Sequence, residues 1–201
     1  MKKLKLYFLG ASMLLAVNLF AQRSTTRGVS YGIKAGINIA NIAISPSDAT
    51  VSQKSLVGFN AGVFAMIPVA ESFGIQPELL YSGLGTEATT GGVSVKIKLD
   101  YLTLPVLAKY QISGTGLGIY VGPQVGYMLS SKAKAGGIAA DVDDSFKKAD
   151  FSGIGGVDYA LPLGLNLSAR YQLGLVNIAK EASGDESAKN NAFTLSVGFS
   201  F

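Results

Sequence analysis

The stretch that decides the fold is Phe193 to Phe201, which reads Phe-Thr-Leu-Ser-Val-Gly-Phe-Ser-Phe. Successive side chains of an extended strand point to opposite faces, so every second residue here forms one apolar face and the small residues between form the other. Nine residues match the roughly 9–11 that a tilted strand needs to cross a bilayer. The stretch predicts the closing strand of an outer-membrane barrel. Its apolar face consists of Phe193, Leu195, Val197, Phe199 and Phe201.

The first 21 residues have the pattern of a secretory signal peptide. A head with three lysines precedes an apolar run over residues 6–20, and Ala21 stands at the predicted cleavage site. A retained membrane anchor is the alternative, but the run is shorter than the ~20 apolar residues of a spanning helix. The sequence therefore predicts a signal peptide at 1–21, a barrel domain at 22–201 and export to the outer membrane.

Charge and composition exclude several classes of protein. Three of the 17 basic residues lie in the head, which leaves 14 against 13 acidic residues, a net charge of about +1 rather than the basic patch that nucleic acid needs. The chain has neither Cys nor His. Lipid attachment at cysteine, disulfides, the usual zinc sites and catalytic triads with Ser-His or Cys-His are therefore excluded.

Eight segments alternate apolar residues with small or polar ones. This period of two over the whole chain predicts an all-β fold, an eight-stranded antiparallel up-and-down transmembrane barrel. Long and short connections also alternate, as in outer-membrane barrels, whose turns are periplasmic and whose loops are external. The predicted strands are 31–40, 57–69, 73–84, 99–112, 117–131, 151–160, 165–175 and 193–201, and the predicted long loops are 44–56, 85–98, 132–150 and 176–192.

The two faces of the predicted strands differ in charge. One face holds amides and charges, and the other is apolar. In a soluble eight-stranded ligand-binding barrel the apolar face would line the cavity, and that lipocalin-like alternative stays open at this point. A membrane barrel places the charges inside instead. The predicted interior polar network is Lys34, Glu78, Lys109, Asp158 and Arg170.

Aromatic residues near the strand ends favour the membrane alternative, because barrels carry girdles of such residues at both interfaces. Inside a narrow barrel the charges are expected to pair or to be hydrated, since an isolated buried charge costs several kcal/mol. We expect a salt-bridge network that fills the lumen, and the alternative is a path for protons or small ions. The girdle residues are Tyr31, Phe59, Phe73, Tyr81, Tyr110, Tyr127, Tyr159, Tyr171, Phe193 and Phe201.

Four segments in this order resemble the PorT-type, or porin family, outer-membrane β-barrel proteins of Bacteroidetes, which are similar to OmpX and OmpA barrels. The segments are Gly32–Asn38, Gly74–Ser82, Tyr101–Tyr110 and Gly122–Gly126. The resemblance implies a barrel inserted by the barrel-assembly machinery, with Phe193 to Phe201 as the assembly signal. One branch of the family is linked to protein secretion, and the word porin is a family label rather than proof of a pore.

Other candidate sites are weaker. Glu78 and Asp158 are the only pair of predicted interior carboxylates, and acid-base chemistry between them would need an open cleft. Asp141, Asp143 and Asp144 could bind a cation, but the Gly and Glu of a calcium loop are missing, so a solvated loop is expected. We expect no catalytic residues, cofactor or resident metal. Lysines of the same loop, at 132, 134, 147 and 148, could meet lipid phosphates or be solvated.

Three functions remain open from the sequence. The first is a monomeric, non-enzymatic barrel that acts structurally or through its exposed loops, with outer-membrane lipid and lipopolysaccharide around it. The second is a narrow porin for ions or small solutes. The third, an accessory role in protein secretion, follows from the resemblance alone and from no residue.

Overall fold

The computed structural model of the protein describes residues 28–45, 52–90, 93–136, 138–180 and 187–201. The predicted signal peptide lies outside these residues. The strands are β1 (Ser30–Ser45), β2 (Ser52–Pro68), β3 (Phe73–Thr90), β4 (Val93–Gln111), β5 (Leu117–Ala135), β6 (Ile138–Asp141), β7 (Ala149–Ala160), β8 (Leu165–Gly174) and β9 (Ser187–Ser200). In this part of the chain, no helix is both long and apolar enough to span a membrane.

Eight of these strands form a closed antiparallel ring. Each pairs with its sequence neighbour, β5 pairs with both β4 and β7, and β1 closes the ring by pairing with β9. The short strand β6 pairs only with residues 132–135 of β5. Within β9, Phe193 lies opposite Ile39 and Phe199 lies opposite Ile33, so the stretch that led to the prediction belongs to the closing strand. The predicted fold class is confirmed.

The two faces fall where alternation predicts. On β9, Leu195 and Val197 are exposed on the outside of the barrel, whereas Thr194 and Ser196 are buried inside. The same alternation holds on β1, where Lys34 and Asn38 are buried. Exposed apolar side chains thus form a continuous band around the outside. Such a band is the surface that a membrane barrel presents to lipid.

Tight connections join the strands at one end of the barrel, which we call the turn end. Residues 69–72, 112–116 and 161–164 form these turns, as predicted. Gly114 and Gly116 have φ values of 76° and 75°, a left-handed conformation that glycine adopts without steric cost. The opposite end, which carries the longer connections, is called the loop end.

The predicted loops were too long, because the strands continue past the expected ends. Most of 85–98 is strand, since β3 runs to Thr90 and β4 starts at Val93. Strand also occupies 132–135, 138–141, 149–150 and 187–192. Two β-bulges conceal these extensions in the sequence. One lies in β2, between Ser55 and Asn60. The other lies in β5, where residues 128–130 lie opposite Asp100 and Tyr101 of β4.

The bulges break the alternation because each adds a residue to one strand and so exchanges its faces beyond that point. The aromatic girdle at the turn end includes Tyr31, Phe73 and Tyr110, which lie at strand ends as predicted. The residues of the loop-end girdle do not lie at strand ends. Tyr81 lies nine residues before the end of β3, and Tyr127 lies eight residues before the end of β5. The sheet therefore extends well beyond the apolar band at the loop end.

Candidate functional site

The lumen of the barrel is the candidate site, and a buried carboxylate lies at its centre. Glu78 Oε1 accepts hydrogen bonds from Lys34 Nζ at 2.7 Å and from Gln76 Nε2 at 2.7 Å. Arg170 donates to both oxygens of Glu78, at 2.9 Å to Oε2 and 3.1 Å to Oε1. Both cations of this triad therefore have an anionic partner, which a buried charge requires. We call Lys34, Glu78 and Arg170 the central triad.

Aromatic rings flank both cations of the central triad. The Lys34 ammonium lies 5.5 Å from the centroid of Phe64, and the Arg170 guanidinium lies 5.6 Å from the centroid of Tyr120. These distances are within the range of cation–π attraction. The rings also exclude water from the ion pairs, which strengthens the electrostatic attraction between them.

A glycine makes room for one of these rings. A Cβ atom on Gly156 would lie 2.7 Å from the Tyr120 hydroxyl and 2.6 Å from the carbonyl oxygen of Ala169. Both distances are too short for a real contact, so any larger residue has to displace Tyr120 or the neighbouring strand. Gly155 faces the other way, and its Cβ would meet nothing within 4 Å. The two adjacent glycines thus provide a matched pair of positions for the same substitution.

We expect Gly156→Val to lower the free energy of unfolding by about 1–3 kcal/mol, because overpacking forces neighbouring side chains and backbone to shift. Gly155→Val is the control, and we expect it to be neutral or slightly stabilising because it places a β-branched residue in open space on a strand. The measurement is equilibrium unfolding of the refolded barrel in urea. Equal effects of the two substitutions would contradict the packing described for Tyr120.

A second ion pair lies nearer the turn end, where Lys109 donates to Asp158. A cavity of about 220 Å³ beside it is lined by residues that include Gln76 and Asn166. Polar walls and this volume suit several water molecules. The two acids predicted for the interior thus have separate cations: Glu78 is paired with Lys34 and Arg170, and Asp158 with Lys109.

Amides and hydroxyls fill the next layer towards the loop end. Asn38 donates to Ser82 Oγ and to the Gly83 carbonyl, both at 2.9 Å, and its own oxygen accepts from Asn60 and Thr194 at 2.9 Å. These residues belong to four different strands. Their mutual hydrogen bonds link β3, β2, β1 and β9, which are neighbours in the ring, on the inner side of the barrel.

Apolar side chains form the next layer inside the barrel, below the loop end. This apolar layer includes Leu99 and Ile178, both fully buried, and Met128, which is 1% exposed. Ile178 comes from the connection between β8 and β9, and its backbone is hydrogen-bonded to Lys147 and Ala188. The apolar layer consists of Ala40, Ile42, Leu84, Leu99, Tyr101, Met128, Ile178 and Ala192.

This layer and a buried carboxylate beside it were not predicted from the sequence. Asp150 and Asn190 were both assigned to loops, but they are buried, and Asn190 donates to Asp150 at 2.9 Å and to the Tyr101 hydroxyl at 3.1 Å. Among the described residues, Asp150 has no ion-pair partner within 4 Å. The alternation Asp150, Ser152, Ile154 on β7 was the available signal, since all three are buried.

The acidic loop residues are engaged in local contacts. Asp143 accepts hydrogen bonds from Lys148 at 3.0 Å and from Ser131 at 2.7 and 2.9 Å. These bonds, that from Lys148 most of all, hold the pKa of Asp143 below its ordinary value. In the chain as far as the structure describes it, no group of three or more acidic, His or Cys side chains is placed to hold a metal ion.

Comparison with known families agrees with this architecture. A family model described as "Outer membrane protein beta-barrel domain" matches residues 20–180. The chain belongs to this family. Membership of the outer membrane protein β-barrel family places the protein in the outer membrane, which agrees with the apolar band on the outside of the barrel.

Two solved structures have a similar fold. Neisserial surface protein A is 15% identical, with 87% of this chain and 99% of that chain covered and a TM-score of 0.53. The attachment invasion locus protein Ail of Yersinia pestis is 13% identical, with 86% and 98% covered and a TM-score of 0.50. These likenesses concern the fold alone. No curated protein sequence matches the chain.

Proposed function

We propose that this member of the outer membrane β-barrel family is a monomeric, non-enzymatic protein with a side-chain-filled lumen that acts through the part of the sheet beyond the membrane. The observation that carries the proposal is the apolar layer. Its side chains come from β1, β3, β4, β5, β9 and the β8–β9 connection, and they pack together inside the barrel. Apart from the Tyr101 hydroxyl, which accepts a hydrogen bond from Asn190, this layer offers an ion nothing to replace its hydration shell.

The alternative of a narrow porin draws support from the charged lumen nearer the turn end, where Lys109 and Asp158 lie beside the cavity. Water that enters at the turn end still meets the hydrogen-bonded amides around Asn38, and then the apolar layer, before it reaches the loop end. Conduction would therefore require the apolar layer to open. The structure gives no residue-level support to an accessory role in secretion, and the finer PorT-type assignment stays a prediction.

Single-channel recording of the refolded chain in a planar bilayer tests the proposal. We expect a folded barrel that gives no conductance steps. Stable, reproducible steps would contradict the proposal and would favour the porin. In that case Lys109→Met is the informative variant, because a change in conductance without loss of stability would make Lys109 part of the lining of a pore.

We further propose that Phe193 to Phe201 is the segment that the barrel-assembly machinery recognises. Phe201 N donates to the Tyr31 carbonyl at 2.9 Å, so the segment also continues the closing pair of strands. We expect Phe201→Ala to reduce insertion in reconstitution with assembly machinery, and Phe201→Tyr, which keeps the ring, to insert normally. The measurement is the heat-modifiable folded fraction on a gel. Normal insertion of Phe201→Ala would contradict the role of the aromatic residue.

A further inference from the structure

Four exposed lysines form two adjacent cross-strand pairs above the apolar band. Lys96 on β4 lies opposite Lys134 on β5, and Lys98 lies opposite Lys132. Residues two apart on a strand share a face, so all four side chains point the same way. All four are exposed. We call Lys96, Lys98, Lys132 and Lys134 the lysine face.

The lysine face points outward, and the bulge in β5 is the reason. Below the bulge, odd-numbered residues of β5 such as Tyr127 face outward. Beyond it Ser131 is buried, and the even-numbered Lys132 and Lys134 are exposed. An uninterrupted strand would turn both lysines towards the lumen, because alternation would continue unchanged. The bulge thus moves two positive charges onto the side where β4 already carries two.

Nearby acidic residues compensate the lysine face only in part. Glu87 lies 3.3 Å from Lys96, and it is itself opposite Lys54 on β2. Asp141 of β6 is opposite Lys132 in the register. The carboxylate of Asp100, below the face, accepts hydrogen bonds from Tyr81 and Ser130. Like charges directly opposite each other destabilise a sheet, so two such pairs in succession favour an anionic partner.

The height of the lysine face indicates which partner. Lys98 and Lys96 lie four and six residues beyond Leu102, which pairs with Tyr81 and Tyr127 of the loop-end girdle. With a rise of about 3.3 Å per residue and a strand tilt of about 40°, the two rows lie roughly 10 and 15 Å above that girdle. The headgroup region adds only about 5–8 Å to the hydrocarbon core on each side, so both rows lie just above it, and the long lysine stems of the lower row can reach down to it.

We propose that the lysine face binds the phosphate groups of a phosphorylated glycolipid in the outer leaflet. Lysine ammonium groups suit phosphate oxygens as point charges, and a lipid anchored in the adjacent leaflet holds its phosphates beside these rows. The inference rests on the proposed function in one respect: the loop end must be external, as it is in outer-membrane barrels. It does not depend on whether the lumen conducts.

The test is titration of the refolded barrel in uncharged detergent with bisphosphorylated lipid A and with dephosphorylated lipid A. We expect saturable binding of the phosphorylated lipid only, weakened by salt. Lys98→Gln with Lys132→Gln should weaken it at least tenfold, since each basic residue near a membrane surface contributes about 1 kcal/mol. Lys98→Arg with Lys132→Arg keeps the charges and should preserve binding.

The matched control is Lys147→Gln with Lys180→Gln, which removes the same charge from exposed positions elsewhere at the loop end. We expect this control to bind like the unmodified chain. Equal weakening by both double variants would overturn the proposal, because it would show attraction to net charge rather than to the lysine face. Equal affinity for dephosphorylated lipid A, or a clear preference for a soluble sulfated polysaccharide over lipid A, would also overturn it.

Discussion

Replacing Glu78 by Gln is expected to lower the free energy of unfolding by about 3–5 kcal/mol, because it leaves two buried cations without a carboxylate. Glu78 is 2% exposed, and it is the shared acceptor of Lys34 and Arg170. A neutral amide cannot balance two positive charges that water barely reaches. The measurement is equilibrium unfolding in urea after refolding into lipid vesicles.

Two controls isolate the effect of burial. Glu87→Gln removes the partner of Lys96, whose side chain is 48% exposed, and we expect a loss below about 1 kcal/mol. Removing all three charges of the central triad with Lys34→Met, Glu78→Leu and Arg170→Met should recover much of the stability lost in Glu78→Gln. A Glu78→Gln loss as small as that of Glu87→Gln would show that water reaches the triad, which would contradict a filled lumen.

An arginine in place of Val197 is expected to cost about 2–4 kcal/mol in a bilayer, because it puts a charge on the lipid face near the midplane. Val197 is 52% exposed and lies four residues from both Phe193 and Phe201 of the girdles. In the lipocalin-like alternative the same side chain would face a cavity instead. The measurement is again unfolding from lipid vesicles.

Ile138→Arg provides the control for this substitution. Ile138 is 78% exposed on β6, beyond the girdle at the loop end. We expect a change within about 0.5 kcal/mol, which is usual for surface positions away from special features. If Val197→Arg were tolerated as well as Ile138→Arg, the apolar band would not be facing hydrocarbon.

Alternation was sufficient to predict the strands that cross the membrane and the direction of their side chains. The reason is physical, since lipid on one side and a narrow polar lumen on the other demand a strict period of two. The residues of β8, for example, alternate without interruption from Leu165 to Gly174, with buried Ser168, Arg170 and Gln172. Alternation did not predict which interior charges pair with each other, because the register of the strands around the barrel decides the pairing.

The loop end was harder to predict because lipid no longer constrains both faces there. Charged residues become acceptable outside, and apolar residues such as Leu99 become acceptable inside. The bulge of β5 opposite Asp100 and Tyr101 then exchanges the faces of that strand. The sequence around Lys132 and Lys134 was therefore interpreted as a polar loop. Ile178 belongs to no strand, and only its tertiary contacts place it in the apolar layer.

The most direct test of the account is thiol reactivity along the closing strand. The chain has no cysteine, so single cysteines can be introduced at Thr194, Leu195, Ser196 and Val197 without background. In a bilayer we predict that Leu195→Cys and Val197→Cys react only with a lipid-soluble maleimide, and that Thr194→Cys and Ser196→Cys react with neither this reagent nor a charged, water-soluble methanethiosulfonate. Reaction of Thr194→Cys and Ser196→Cys with the charged reagent would reveal a water-filled lumen and contradict the account.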